Sequence, residues 1–395
     1  MSARNHSWLV VAGLWLTGLT MRTAVTSVGA ALDDLQDGLH ASAAVAGLIT
    51  TLPVVCFAGV GAVTPRLSRS LGSHRLLVYA LLVSALGQAV RPIGSSSVWF
   101  SVASLLALTG GAVGNVLLPS LVKEHFPDRI GAMTAVYTTA LAIGTTLAAG
   151  LTIPIGDAWG GWRFGVGSWA VIAVLAALPW FTTLRGDHGL IGTTGGSIPL
   201  RALARSRTAW ALTAFFAAQS TQAYIGFGWF ARFLVDHGIT HATAGAMLAL
   251  LTAVGIPVSL VAPRVPAAKQ RYLVVFFGLC SVVAYVGLAV APVGGAWVWM
   301  VLVGVGYGVF PVSLLLIALR TREAATTAAL SAFVQVIGYV VAGCGPLLFG
   351  ALFGATGSWG LPLTVLFAAL AVSIVASWPS TADRYVDDEL AASRA

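Results

Sequence analysis

The sequence is poor in charge. Asp, Glu, Lys and Arg make up only 9% of its 395 residues, whereas 58% of the residues are hydrophobic. No water-soluble domain of this length can bury so much apolar side chain, so the composition predicts a protein whose solvent is lipid. The apolar runs are long and continuous, which excludes the short alternating strands of a membrane β-barrel.

Cysteine and intramembrane acid are also scarce. The three cysteines lie in separate apolar runs without metal-ligand spacing, so we expect them to be packing residues. No Asp or Glu falls in the middle of an apolar run, and we expect all seven histidines to lie in loops or tails. The chain thus lacks the paired carboxylates, His/Cys clusters and metal motifs that an intramembrane enzyme needs. We predict neither an enzyme nor a cofactor.

Twelve apolar runs are long enough to cross a bilayer as helices. They fall into two sets of six, separated by a stretch rich in glycine and arginine that suits a cytoplasmic linker. We predict an N-terminal bundle over 1–184, a linker over 185–207, a C-terminal bundle over 208–378 and a cytoplasmic tail over 379–395. The predicted spans are 8–32, 44–65, 75–93, 98–122, 130–154, 163–184, 208–234, 243–263, 271–291, 296–319, 324–353 and 359–378.

The placement of Lys and Arg predicts the orientation. With the N-terminus inside, 17 of the 21 Lys and Arg residues lie in cytoplasmic segments, and the other four are Arg22, Arg91, Arg163 and Arg232. We expect a multi-pass protein of a bacterial cytoplasmic (inner) membrane, with both termini in the cytoplasm. The net charge of +8 follows from this topology and does not indicate nucleic-acid binding.

The two halves share a repeat. Gly47, Val63, Pro65 and Arg66 recur 198 residues later as Gly245, Val261, Pro263 and Arg264, and Gly160 and Trp162 recur as Gly357 and Trp359. This predicts an all-α membrane protein of 12 transmembrane helices, in two six-helix bundles related by pseudo-two-fold symmetry. Such repeats support alternating access to a central site.

Motifs in both halves narrow this architecture to one family. The first half contains Met21-Arg22, Thr26-Ser27-Val28-Gly29, Thr50-Thr51-Leu52-Pro53 and Gly114-Asn115-Val116-Leu117-Leu118-Pro119. The second half contains Gln219-Ser220, Gly255-Ile256-Pro257, Phe310-Pro311, Arg320-Thr321-Arg322 and Gly345-Pro346. Together they resemble the cyanate and 2-nitroimidazole transporter (CynX/NimT) family of the major facilitator superfamily. The resemblance implies a transporter in which helices one, four, seven and ten line the cavity, with two, five, eight and eleven beside them.

The chain also departs from the family pattern. Arg69 stands where the superfamily's cytoplasmic loop carries an acidic residue, and Tyr307 stands where family members tend to have Gln. The resemblance therefore predicts a pocket that differs from that of a cyanate carrier.

Arg22 is the leading candidate for substrate binding. It lies inside an apolar run, where a guanidinium needs water or an anion beside it. Gly18, Arg22, Thr26 and Gly29 fall at helical spacing along one face of the first helix. A planar guanidinium suits carboxylate-like or linear anions. The alternative is that Arg22 binds backbone carbonyls or Gln side chains as structural glue.

Polar and aromatic residues at helical spacing supply the other candidates. Binding roles are predicted for Thr26, Asn115, Tyr137, Gln219, Gln222, Tyr224, Tyr307, Gln335 and Tyr339. For each of them, bonding or packing between helices is the competing interpretation. Arg91 and Arg232 lie near span ends, where we expect anchoring at headgroups or a salt bridge to a nearby Asp.

We therefore predict secondary active or facilitative transport of a small solute, with a small cyanate-like or carboxylate anion favoured. Efflux of small neutral aromatic or nitro-heterocyclic drugs is the alternative, because stacking on Tyr and Trp needs no substrate charge. We expect the partners to be this substrate, protons if transport is coupled, and the lipid bilayer, with the protein a monomer. The sequence leaves the direction of transport open.

Overall fold

The computed structural model describes residues 4–41, 43–184 and 200–392, and every regular element in these ranges is a helix. The chain forms two compact units, Met1–Ser197 and Ile198–Ala395. Residues 185–199 of the predicted linker lie outside the described residues. The described remainder of that linker holds a short helix, Leu200–Leu203.

The first unit contains nine described α-helices. They are α1 (Arg4–Thr20), α2 (Thr23–Ala30), α3 (Leu32–Gly38), α4 (Ala43–Leu71), α5 (Ser73–Val90), α6 (Ser97–His125), α7 (Ile130–Trp159), α8 (Trp162–Ser168) and α9 (Ala170–Phe181).

The second unit also contains nine described α-helices. They are α10 (Leu200–Leu203), α11 (Arg207–Asp236), α12 (His241–Val261), α13 (Gln270–Val290), α14 (Ala296–Gly306), α15 (Val309–Leu319), α16 (Ala324–Thr356), α17 (Gly360–Ser380) and α18 (Val386–Ala392).

Within the described residues, eleven helical spans are long and apolar enough to cross a membrane. They correspond to every predicted span except 208–234. That span is helix α11, which at 30 residues is long enough but is less apolar, because its middle carries Gln219, Ser220, Thr221 and Gln222. Large apolar side chains such as Val55 of α4 and Trp378 of α17 are exposed on the helices, as a lipid-facing surface requires.

Three of the predicted continuous spans are interrupted. The first breaks at Met21–Arg22, between α1 and α2, and the tenth breaks at Tyr307–Gly308, between α14 and α15. The sixth breaks at Trp169, between α8 and α9. Two of the breaks therefore fall on predicted site residues, Arg22 and Tyr307.

The acidic tail helix α18 packs on the starts of other helices in the second unit. The carboxylate of Glu389 accepts hydrogen bonds from the Thr208 amide (3.2 Å), the Thr208 hydroxyl (2.7 Å) and the Ser206 hydroxyl (2.6 Å), all at the start of α11. Asp387 accepts from the Arg322 amide (2.7 Å) and the Thr326 hydroxyl (2.6 Å) at the start of α16. Carboxylates at helix N-termini satisfy free amides and favour the helix dipole. The tail thus ties α11 to α16.

Candidate functional site

In the first unit, the helix break places Arg22 between two helical segments. The Met21 amide bonds to the Gly18 carbonyl at 3.3 Å, a tighter turn than the α-helix makes, and Arg22 has φ −117° and ψ −6°. The Thr23 hydroxyl donates to the Thr20 carbonyl at 3.0 Å. A side-chain hydroxyl can satisfy a carbonyl that a helix break frees within a membrane. The prediction of one continuous face through Gly18 and Arg22 is therefore wrong.

Glycines allow neighbouring helices to approach this break closely. A Cβ added to Gly111 of α6 would overlap the Met21 carbonyl oxygen, and one added to Gly144 of α7 would overlap the Leu19 carbonyl oxygen. Only residues without a side chain permit such backbone contact between membrane helices. The break is thus held between α6 and α7.

The side chain of Arg22 lies over an aromatic ring. Its Cζ atom is 5.2 Å from the ring centroid of Phe57, a buried residue of α4, and Arg22 itself is half-buried. Attraction of a cation to an aromatic face strengthens as water is removed. The guanidinium therefore packs on α4 at the break, and Arg22 remains partly exposed.

The other predicted residues of this unit lie on three helices. Thr26 is half-buried on α2, while Asn115 of α6 and Tyr137 of α7 are buried. The Tyr137 carbonyl occupies the place that a Cβ on Gly18 would take, so Tyr137 packs against the segment before the break. Thr26 thus lies one helical turn after Arg22 on α2, and the backbone of Tyr137 contacts α1 just before the break.

Two further expectations for this unit are wrong. Arg91 is not at the headgroups and has no Asp partner among the described residues; it is fully buried and donates to α2 and α8. His74 and His125 do not lie in loops: they belong to α5 and α6, and their Nε2 atoms are 2.9 Å apart. His74 is buried and its ring lies 5.7 Å from that of Trp180.

In the second unit, the helix break places Tyr307 between α14 and α15. Its hydroxyl donates to the backbone carbonyl of Gln222 at 2.7 Å. A Cβ on Gly226 would overlap that hydroxyl, and one on Gly308 would come within 2.7 Å of Phe277. Small residues thus make room both for the break and for the tyrosine that crosses to α11.

Gln222 is held through both ends of its amide. Its Oε1 accepts from the hydroxyl of Tyr285 at 3.1 Å, and its Nε2 donates to the Ala218 carbonyl at 3.2 Å. Gln219, one turn earlier, donates to the hydroxyl of Ser220 at 2.7 Å. A glutamine inside a membrane must find such partners. These contacts join α11 to α13 and, through Tyr307, to the break.

A small cavity lies beside this network. It has a volume of about 10 Å³ and is lined by Gln219, Gln222, Ser281 and Tyr307, with apolar residues of α13 and α17 around them. This is about the space that one water molecule needs. Polar groups from α11, α13 and the break therefore converge on a space the size of a single water molecule.

Three further candidates gather on the facing surfaces of α11 and α16. The ring of Tyr339 is buried, lies edge-on to Phe216 at 5.2 Å and lies 6.4 Å from the ring of Tyr224. Gln335, one turn earlier than Tyr339, donates to the Ser331 hydroxyl at 2.8 Å. The predicted residues of the second unit thus form two groups, one around Gln222 and one around Tyr339.

Some residues of these groups were not predicted. Phe57, Phe216 and Tyr285 contact Arg22, Tyr339 and Gln222 respectively. Aromatic residues are frequent throughout the chain, and nothing in their spacing separates these three from ordinary packing residues. By contrast, the expectation for Arg232 is confirmed, because its Nε lies 3.9 Å from the Asp236 carboxylate and its guanidinium lies over Phe353.

Known proteins resemble this chain in sequence and fold. Residues 14–343 match the family model of the Major Facilitator Superfamily. An uncharacterized transporter, YycB, of Bacillus subtilis is 34% identical, covering 96% of this chain and 95% of its own. The 2-nitroimidazole transporter of Escherichia coli is 31% identical (92% and 92%), and the cyanate transport protein CynX of the same organism is 28% identical (88% and 90%).

Solved structures agree on the fold. The proton:xylose symporter XylE bound to 6-bromo-6-deoxy-D-glucose has a TM-score of 0.79 at 14% identity, covering 99% of each chain. FucP, a Major Facilitator Superfamily transporter in the outward conformation, has a TM-score of 0.72 at 14% identity, covering 94% of this chain and 98% of its own. The chain has the 12-helix major facilitator fold. It is a multi-pass membrane transporter of small solutes rather than an enzyme. It belongs to the major facilitator superfamily and, within it, to the family of the cyanate and 2-nitroimidazole transporters.

Proposed function

We propose that this transporter carries a small anion, of the cyanate or carboxylate class, by alternating access. The observation that carries the proposal is the half-buried guanidinium of Arg22, which lies at the break of the first helix and over the ring of Phe57. A cation at membrane depth attracts an anion strongly, because the surrounding dielectric constant is low. The names of two relatives, a cyanate transport protein and a 2-nitroimidazole transporter, support a small substrate.

The second unit supplies candidate binding groups of its own. Gln222 and Tyr307 line a water-sized cavity with hydrogen-bonding groups, and Tyr224 and Tyr339 offer aromatic rings. Amide and hydroxyl groups of this kind orient bound solutes through hydrogen bonds. The binding roles of the other candidates stay predictions: these are Thr26, Asn115, Tyr137, Gln219, Gln222, Tyr224, Tyr307, Gln335 and Tyr339.

A second candidate function is efflux of neutral nitro-heterocycles. The edge-on arrangement of Phe216, Tyr339 and Tyr224 favours it, because stacking on these rings requires no substrate charge. The other predictions are unchanged: a monomer in a bacterial inner membrane, with both termini in the cytoplasm and protons as the coupling ion if transport is coupled. The domain boundaries at 184, 207 and 378 also stay predictions.

The test compares Arg22→Gln with wild type in proteoliposomes loaded with cyanate, a small carboxylate or 2-nitroimidazole. We expect wild type to transport the anions, and Arg22→Gln to lose at least tenfold in apparent affinity for them. The control is Arg232→Gln, which removes an exposed arginine and should leave transport unchanged. Anion transport that is equal in wild type and Arg22→Gln would overturn the anion proposal. Transport of 2-nitroimidazole alone, insensitive to Arg22, would establish the second candidate.

A further inference from the structure

Arg91 is a second buried cation of the first unit, and its surroundings are unusual. Its side chain is fully buried. The guanidinium donates to the Ala24 carbonyl at 2.8 Å, the Ser27 hydroxyl at 2.9 Å and the Val166 carbonyl at 3.3 Å. The ring of Phe100 lies 5.8 Å from its Cζ atom.

No carboxylate pairs with Arg91 among the residues that the structure describes. Neutral oxygens and one aromatic ring therefore stabilise its charge. A buried charge without an ionic partner is costly to keep in a membrane protein, and such residues are usually retained for function. An apolar side chain would fill the same space at lower cost, so packing alone does not explain an arginine here.

Two of the three acceptors belong to one short segment. Ala24 and Ser27 are part of α2, which has only eight residues and follows the break at Met21–Arg22. Because the helix does not continue from α1 into α2, α1 cannot fix the direction of α2 through a rigid backbone. The third acceptor, Val166, belongs to α8. Arg91 thus joins α2 to α8 from the end of α5.

We propose that Arg91 is a positioning residue for the substrate site. It fixes the orientation of α2, and thereby the placement of Thr26 and of the Arg22 backbone where α2 begins. This inference rests on the proposed function for its effect on transport, but its structural part, the orientation of α2, is independent of any substrate. The rigid fork of a guanidinium can hold three acceptors at once, whereas the ammonium of a lysine is a point charge on a flexible stem.

The chain offers a matched control in Arg163. This arginine belongs to the same unit and also donates to backbone carbonyls, those of Pro92 and Gly94, while its guanidinium lies over the ring of Trp162. Among the described residues, its hydrogen bonds go to the turn after α5 and not to α2. Arg163→Gln therefore removes the same kind of group without releasing α2.

The experiment measures the accessibility of α2 directly. A Thr26→Cys variant, with the three native cysteines replaced by alanine, is purified in detergent and labelled with a small maleimide. Into this background we introduce Arg91→Gln, Arg91→Lys, Ser27→Ala or Arg163→Gln. Size-exclusion profiles and helical circular dichroism establish that each variant is folded.

We expect Arg91→Gln to change the labelling rate at least threefold, Ser27→Ala and Arg91→Lys to change it less, and Arg163→Gln to leave it unchanged. In proteoliposomes, Arg91→Gln should raise the apparent KM for cyanate more than it lowers the maximal rate. Should Arg91→Gln fail to fold, Ser27→Ala decides the matter, because it removes one acceptor and keeps the cation. Labelling rates that are equal in all folded variants would overturn the positioning role. A change in labelling without any transport by wild type would instead refute the proposed function and leave the role of Arg91 intact.

Discussion

The hydroxyl of Tyr307 donates a hydrogen bond to the backbone carbonyl of Gln222 over 2.7 Å. This bond joins the break of one helix to the polar middle of α11. It also fixes the ring beside a cavity that other polar side chains line. The position that departs from the family's usual Gln thus has a structural role as well as a predicted binding role.

Tyr307→Phe should lower stability and weaken substrate binding together. The carbonyl of Gln222 loses a buried partner, which costs about 1–3 kcal/mol. Melting in detergent, followed by circular dichroism, measures the loss. Tyr79→Phe is the control, because Tyr79 is exposed on α5 and its change should have no effect. Equal melting temperatures for wild type and Tyr307→Phe would show that this bond does not contribute to stability.

Gly144→Ala should disrupt the break in the first helix. The added Cβ overlaps the Leu19 carbonyl, so α7 must move away from the break. Overpacking of this kind costs about 1–3 kcal/mol, and we expect transport to fall along with the melting temperature. Gly150→Ala, on the same helix, is the matched control: a Cβ there has nothing within 4 Å. Equal melting temperatures and transport rates for Gly144→Ala and Gly150→Ala would contradict the close contact between Gly144 and Leu19.

The tail helix should loosen in acid. Burial raises the pKa of Glu389, but the hydrogen bonds from Ser206 and Thr208 outweigh burial and leave its pKa below the usual value. The hydrogen bonds that Arg322 donates lower the pKa of Asp388. A carboxylate whose pKa is lowered on folding stabilises the fold above its unfolded value of about 4, and this contribution is lost as the pH falls through the folded value.

We therefore expect the melting temperature of wild type to fall by more than that of Glu389→Gln as the pH is lowered from about 5 to about 3, the range below the unfolded value in which the carboxylate takes up its proton. At pH 7, Glu389→Gln should itself be less stable by about 1 kcal/mol, because hydrogen bonds to a charged group are lost. Asp383→Asn is the control, since that carboxylate is 86% exposed and bonds only Arg320 among the described contacts. Parallel pH curves for wild type and Glu389→Gln would contradict the role of Glu389.

The histidine pair should show coupling between its members. Because the Nε2 atoms of His74 and His125 are 2.9 Å apart, one ring donates the proton and the other accepts it. The effects of His74→Ala and His125→Ala on stability should therefore be non-additive in a double-mutant cycle, by about 0.5–1.5 kcal/mol. Additive effects would show that the contact does not contribute to stability.

The sequence predicted the membrane spans well, because each span depends on the length and apolarity of its own segment. The span 208–234 illustrates the physical limit of that signal: α11 is the least apolar span, and its polar residues are the ones that bond to Tyr285 and Tyr307. The family motifs supplied what apolarity alone could not, namely that this polar helix belongs to a transporter.

The helix breaks could not be predicted from local sequence. None of the three breaks contains proline, and Gly308 is one glycine among 45. The interruption at Arg22 depends on Gly111 and Gly144, which are about 90 and 120 positions away along the chain and matter only once α6 and α7 are packed. The prediction for Arg91 was wrong for a similar reason. Its place near a span end suggested snorkelling, but its acceptors lie on α2 and α8, and only the tertiary fold brings them together.

The contacts of Glu389 also bear on how the protein is made. The ribosome synthesises α18 after every helix that α18 touches, so α11 is made before its carboxylate partner. The hydroxyl of Ser206 can cap the Ala209 amide at once, because both residues lie at the start of α11. The Thr208 amide gains the Glu389 carboxylate only when α18 has been synthesised, so the start of α11 is completed after all the other described helices of this unit.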